Sequence, residues 1–173
     1  MKELASYIRD VPDFPKKGII FKDITPLLAD AAALSQAVGQ LCDPFKGEGI
    51  EVVTGIESRG FIFGALAAQR LGAGFVPVRK PGKLPAATIR ESYELEYGSD
   101  SVEMHRDAVA PGRKVLMIDD LLATGGTMSA ACKLVRQLGG RIAGVAFVIE
   151  LSFLHGREKL RDYRIHSLIK FDS

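Results

Sequence analysis

A twisted, mostly parallel α/β sheet flanked by helices is what the 173-residue sequence predicts. Two patterns point to it. Apolar residues gather in short continuous runs instead of alternating, as in strands buried on both faces. These runs also alternate with segments of helical spacing, so each parallel strand leads to the next through a covering helix. At this length one domain is the default, spanning residues 1–173. It can bury about 70% of its unfolded surface and needs no staple.

The elements follow in order. Leu4 and Ile8 share a face of a short N-terminal helix that Pro12 ends. Pro12, Pro15 and Gly18 mark a loop, and Ile19–Phe21 reads as a short strand. Asp30 caps a helix carrying Leu34, Val38 and Leu41. Val52–Ile56 is a buried strand, Phe61–Leu71 a helix closed by Gly72, and Phe75–Val78 the next strand. Val115–Ile118 and Ile142–Ile149 are further strands, separated by a helix from Met128 to Leu138 that Gly139 and Gly140 stop. Residues 80–112 break the rhythm. Tyr93, Leu95 and Tyr97 alternate with polar residues, Gly98 to Asp100 turn, and Val102 and Met104 alternate again. That is a hairpin with one wet face. A long polar excursion in an α/β domain is expected to act as a lid or binding loop.

Composition excludes several classes. With 47% hydrophobic residues and a net charge of +2, the chain is neither disordered nor carries the electrostatic footprint of a nucleic-acid binder. Two cysteines, Cys42 and Cys132, make neither a disulfide framework nor a four-ligand zinc site. The longest apolar runs are about eight residues, far short of a membrane span of about 20. MKELASYIRD has no apolar stretch ahead of its charges, so a cytoplasmic location is expected.

The chemistry lies in VLMIDDLLATGGT, residues 115–127. A buried strand ends in Asp119 and Asp120, and a loop of two glycines and two threonines leads into a helix. Ligands of open parallel sheets bind outside the carboxyl ends of the strands. There the free N–H groups of Ala123 to Thr127, the hydroxyls of Thr124 and Thr127, and the helix start favour an anion such as phosphate. Carboxylates would repel that phosphate, but they accept hydrogen bonds from hydroxyls and orient hydrated Mg²⁺. A phosphate beside vicinal hydroxyls describes a phosphorylated ribose. Neither G-x-x-x-x-G-K-[ST] nor G-x-G-x-x-G occurs, which disfavours ordinary nucleoside triphosphatase and dinucleotide sites.

VLMIDDLLATGGT resembles the phosphoribosyl diphosphate signature of the type I phosphoribosyltransferase family. VPDFPKKGIIFKDITPLL, GIESRGFIFG, RKPGKLP and SYELEYG are similar, in that order, to segments of its adenine-using members, together spanning about residues 11 to 151. The resemblance implies the type I phosphoribosyltransferase fold, with a small hood at about 10–25 and a mobile hairpin lid at about 84–106. It implies transfer of a 5-phosphoribosyl group from phosphoribosyl diphosphate to N9 of adenine, giving AMP and diphosphate. Asp119 and Asp120 then hold the ribose hydroxyls, and Ala123, Thr124, Gly125, Gly126 and Thr127 wrap the 5-phosphate. Members using 6-oxopurines usually carry Asp where Ala123 stands, which argues against hypoxanthine or guanine.

By the same resemblance, Glu57, Ser58 and Arg59 bind the diphosphate in a loop that commonly holds a non-proline cis peptide. Arg79 and Lys83 join them, Lys83 from its own or the partner subunit. Arg59 is read as catalytic because its fork can bind the leaving diphosphate. A cation at a helix start also calls for an anion nearby. Glu96, beside Tyr97 on the lid, is read as the catalytic proton carrier near N7 of adenine. Ile20, Phe21, Lys22 and Leu151 are read as the adenine pocket, with Phe21 stacking on the base and the backbone of Ile20 reading the exocyclic amine. Many relatives carry Arg at the position of Lys22, so here the charge is kept without the fork. The implied cofactor is Mg²⁺, held mainly by substrate and water with no direct protein ligand. The implied assembly is a homodimer. Two alternatives stay open: another acceptor base such as xanthine, and a non-catalytic regulator that binds the same donor.

Overall fold

A computed structural model describes residues 3–95 and 98–173. The chain opens with a single 3₁₀ turn, Leu4–Tyr7, then strand β1 (Arg9–Pro12), which pairs antiparallel with β2 (Ile20–Asp23). The expected N-terminal helix is therefore a turn and a strand. The helical spacing of Leu4 and Ile8 spans barely more than one turn, too short to hold a helix by itself. Instead, the Arg9 fork donates to Asp23 at 2.9 and 2.6 Å and pins the β1–β2 register. Helices α1 (Thr25–Ala29) and α2 (Ala31–Cys42) follow. Asp30 accepts from the Ala33 N–H at 2.9 Å, as a capping aspartate should.

The main sheet begins with β3 (Val52–Ile56), whose residues are all buried. Helix α3 (Arg59–Leu71) returns the chain to β4 (Gly74–Val78) at the sheet edge. A separate antiparallel ribbon, β5 (Thr88–Glu94) with β6 (Ser99–His105), precedes β7 (Lys114–Leu122). Helix α4 (Gly126–Gln137), β8 (Arg141–Leu151) and β9 (Ile165–Phe171) complete the chain. The five strands lie in the order β4-β3-β7-β8-β9 and are all parallel. The half-exposed edge strand β9 has no continuous apolar run, and the sequence reading misses it.

Adjacent strand residues face opposite layers, and the core divides accordingly. Val53, Leu116, Ile118, Ala146 and Val148 pack with Leu41 of α2 and Phe63 and Ala67 of α3. Val52, Val115, Met117, Val145 and Phe147 pack with Met128, Ala131, Leu134 and Val135 of α4. Val102 and Met104 of the ribbon join this second layer and are fully buried.

Strand order reverses between β3 and β7: the chain leaves β3 toward one edge and β7 toward the other. The loops after these strands diverge and open a crevice at their carboxyl ends, where such sheets bind ligands. Replacing the cap by Asp30→Ala should cost about 1 kcal/mol, lowering the melting midpoint by about 2–4 °C without changing the circular dichroism of the folded state.

Candidate active site

Strand β7 does not end at its aspartates, as the sequence reading has it, but runs past them to Leu122. The Asp120 N–H donates to Asp119 Oδ1 at 2.9 Å. Beyond the strand, the loop from Ala123 to Met128, with Asp119 and Phe147, lines a cavity of about 80 Å³. Gly125 has φ +79°, and a methyl there would strike the Gly156 carbonyl oxygen. The turn at 155–157 therefore forms the floor of the loop. Tyr93 covers it from the ribbon: a Cβ on Gly126 would lie 3.1 Å from the Tyr93 ring.

Across the crevice stands the loop after β3. Its Glu57–Ser58 peptide is cis, and Arg59 begins α3. The helix start presses directly on β7. A Cβ on Gly60 would lie 2.5 Å from Asp119 Oδ1, so only glycine fits. The anion that Arg59 calls for is Asp120: Nε lies 2.8 Å from Oδ2. That oxygen is buried and, among the described residues, accepts no well-aligned hydrogen bond. The contact is thus an ion pair rather than a directed bond. The Arg59 guanidinium also rests 4.9 Å from the Phe21 ring centroid. One side chain thereby touches the acid pair and the hood.

Burial, reinforced by the Asp120 charge, raises the Asp119 pKa well above the usual carboxylate range. Burial also raises that of Asp120, with Arg59 opposing it. Glu57 behaves oppositely. The Arg79 fork donates to it at 3.1 and 2.8 Å, and the Lys80 N–H at 3.1 Å, so its carboxyl is held below the usual range, mainly by Arg79. Its carboxylate is thus occupied by protein, and an anion would meet this loop through its backbone. Arg79 also donates to the Lys83 carbonyl at 3.0 Å, ordering the loop that bears Lys83.

The hood is the β1–β2 hairpin. Ile20 is 56% exposed, and Phe21 makes an edge contact with Phe14 at 5.1 Å. Lys22 departs from its expected place in an adenine pocket. It is only 9% exposed, its Nζ donates to Asp10 at 2.8 Å, and it lies 3.9 Å from the Phe171 ring centroid. Strand alternation puts it on the side opposite Phe21, where it holds the hood to the sheet. Leu151 ends β8 in register with Phe171, at the foot of the same hood.

Ser99 and Asp100, expected within the turn, instead belong to the ribbon's ladder, where Tyr93 pairs with Asp100 and Glu94 with Ser99. Lys80 ties it down by donating to Tyr93 at 2.9 Å and pairing with Asp100. Glu96 and Tyr97 lie outside the described residues. Two features escaped the sequence reading. One is Tyr93 over the loop. The other is the fork from Arg157 to the buried Glu150, at 2.5 and 2.7 Å. Neither Glu150 nor Arg157 sits in a motif, and a turn separates them.

A family described as the phosphoribosyl transferase domain matches residues 21–171. The chain belongs to it. Adenine phosphoribosyltransferase of Nitrosococcus oceani is 59% identical over 171 residues, covering 99% of this chain and 100% of that protein. The crystal structure of adenine phosphoribosyltransferase from Thermoanaerobacter pseudethanolicus is 56% identical, with a TM-score of 0.94 over 97% of this chain and 98% of that one. The Saccharomyces cerevisiae adenine phosphoribosyltransferase, solved with an imino-altritol bisphosphate and adenine, is 40% identical. Its TM-score is 0.90, over 95% of this chain and 96% of that one. The chain is thus a phosphoribosyltransferase enzyme of the adenine phosphoribosyltransferase group, as its motifs imply.

The acid pair carries a thermodynamic penalty in this phosphoribosyltransferase. The folded state binds a proton at Asp119 more tightly than the unfolded state does, so the charged form is destabilising at pH 7. Asp119→Asn should raise the pH 7 melting midpoint by about 2–4 °C, the shift of a 1 kcal/mol gain. The gap from the parent should close toward pH 4, where Asp119 is protonated. Equal midpoints at pH 7 would show that the pair is not strained.

Proposed function

We propose that this phosphoribosyltransferase joins N9 of adenine to C1 of 5-phosphoribosyl 1-diphosphate, releasing diphosphate. The N9–C1 bond forms, the C1–oxygen bond breaks with its electron pair going to diphosphate, and the N9 proton is lost. The observation that carries this reading is the passage of β7 through Asp119 and Asp120 into the 123–127 loop, facing Arg59 and Phe21 across the crevice. The similarity to adenine phosphoribosyltransferases supports the same acceptor.

Each residue then has a task. The N–H groups of Ala123 to Thr127 take the 5-phosphate, and the two aspartates take the ribose hydroxyls. Hydroxyl donors would satisfy the buried Asp120 oxygen that Arg59 meets without an aligned bond. Arg59 turns to the leaving diphosphate, joined by Arg79, Lys83 and the Glu57–Ser58 backbone. Phe21 and Leu151 flank the base, and Ile20 reads its amine through the backbone. The ribbon excludes water from the crevice, with Val102 and Met104 anchoring it in the core. Glu96 moves the proton at the base, beside Tyr97.

The residues present fit Mg²⁺ bound chiefly through substrate. Asp119 and Asp120 are two adjacent hard oxygen donors, and among the described residues no cluster of three or more acids, histidines or cysteines offers a protein cage. When bound, Mg²⁺ neutralises the diphosphate charge. A cytoplasmic homodimer completes the proposal. Buried free thiols at Cys42 and Cys132 suit a reducing compartment, and exposed Ile62 and Leu66 on α3 provide an apolar face for a second copy.

Incubation with each labelled base, the donor and Mg²⁺ tests the reading. Adenine should give AMP, while hypoxanthine, guanine and xanthine give no nucleotide. Glu96→Gln should lower turnover about 100-fold with donor affinity nearly unchanged. Equal losses in both would remove the proton-transfer role.

A further inference from the structure

The Glu150–Arg157 pair lies outside every substrate contact named above, yet it sits where two walls of the site meet. Glu150 is 4% exposed, on a central strand, in register with Leu122, the last residue of β7 before the loop. It directly precedes Leu151, at the foot of the hood. Arg157 follows Gly156 in the floor turn, and its fork reaches back across that turn to both Glu150 oxygens.

Contact between turn and loop is tight in both directions. A methyl on Gly125 would collide with the Gly156 carbonyl oxygen. One on Gly156 would strike the Ala123 carbonyl oxygen and lie 2.9 Å from Leu122 Cδ1 and 3.1 Å from the Gly125 nitrogen. His155, at φ 53°, enters this turn in the left-handed region. The turn therefore needs an external tie, and the Arg157 fork provides one. An apolar pair could fill the same volume at least as stably, because burying the Glu150 charge is costly even with Arg157 left partly in solvent. A planar two-bond fork, however, fixes direction as well as distance.

We propose that Glu150 and Arg157 are positioning residues that hold Gly156 against the 123–127 loop and thereby set its affinity for the 5-phosphate. The inference rests on reading that loop as the 5-phosphate site. It adds that the loop is shaped from behind by an ion pair that touches no substrate.

Calorimetric titration of the full chain with AMP and, separately, with diphosphate tests this. AMP needs the loop, whereas diphosphate binds at the β3 side of the crevice. Arg157→Ala should weaken AMP about tenfold and leave diphosphate within about twofold, since misplacing a preorganised shell by a fraction of an ångström has effects of this order. Arg157→Lys should recover part of the loss. Because Arg157→Ala strands a buried carboxylate, the double variant Glu150→Gln/Arg157→Ala is titrated as well and should show the same selective loss. AMP affinity unchanged in the folded variants would overturn the proposal. So would AMP and diphosphate weakening alike, the signature of a merely structural pair. Thr127→Val separates the two readings. If it weakens AMP while Arg157→Ala does not, the loop reading stands and the positioning role falls. If neither weakens AMP, both fall.

Discussion

The reversal of strand order between β3 and β7 is the constraint on which the site depends. Five parallel strands must be linked by crossovers, and crossovers toward opposite edges leave a gap where they part. The two loops beside that gap are the acid-bearing end of β7 and the cis-peptide loop after β3. Their separation is set by how closely α3 approaches the sheet. Gly60 lets the helix start lie against Asp119, and Gly55 and Gly64 let its body lie on β3 around the Phe75 ring. Side chains at these places would push α3 outward and widen the crevice. The glycines of GIESRGFIFG thus act through packing as much as through any contact with a ligand.

On this frame the charges of the site are largely paired before any substrate arrives. Glu57 meets Arg79, Asp120 meets Arg59, Glu150 meets Arg157, and Glu103 of the ribbon meets Arg90. The pairs are not equivalent. Glu57 and Glu150 accept aligned two-bond forks, and their carboxyls are held below the usual range, first by Arg79 and first by Arg157. Asp120 has a single misaligned partner, and its pKa is raised. Acids with complete partners are scaffold, and the acid with an incomplete one is poised to accept something else. This distinction follows from geometry, since all three carboxylates are well sheltered and face arginine.

How much of this was legible in the sequence follows the range of the interactions. Continuous apolar runs marked β3, β4, β7 and β8 because burial on both faces leaves a local signature. The half-exposed edge strand β9 leaves none, and a short N-terminal segment was read as helix because its register with β2 depends on a side chain fourteen residues away. At the site, the aspartates and the Thr-Gly loop are contiguous and were found together. The side-chain partners of Lys22 were not legible because alternation alone does not say which side of a two-stranded hood faces the sheet. Arg157 was missed because its partner is fixed by a turn that only the folded chain supplies. The family resemblance bridged some of these gaps, but it carried Glu57 over as a ligand without showing that Arg79 occupies its carboxylate.

Arg59 is where these threads meet. Its guanidinium bridges Asp120, proposed for a ribose hydroxyl, and Phe21, proposed for the base. A single carboxylate holds it, through a contact without a well-aligned hydrogen bond. A diphosphate brings several negative oxygens suited to a two-bond fork, so electrostatics favour moving Arg59 from the first partner to the second. That movement would free Asp120 for hydroxyl donors and uncover Phe21 for the base in one step. The weakness of the Arg59–Asp120 contact is then what leaves this side chain able to exchange one anionic partner for another.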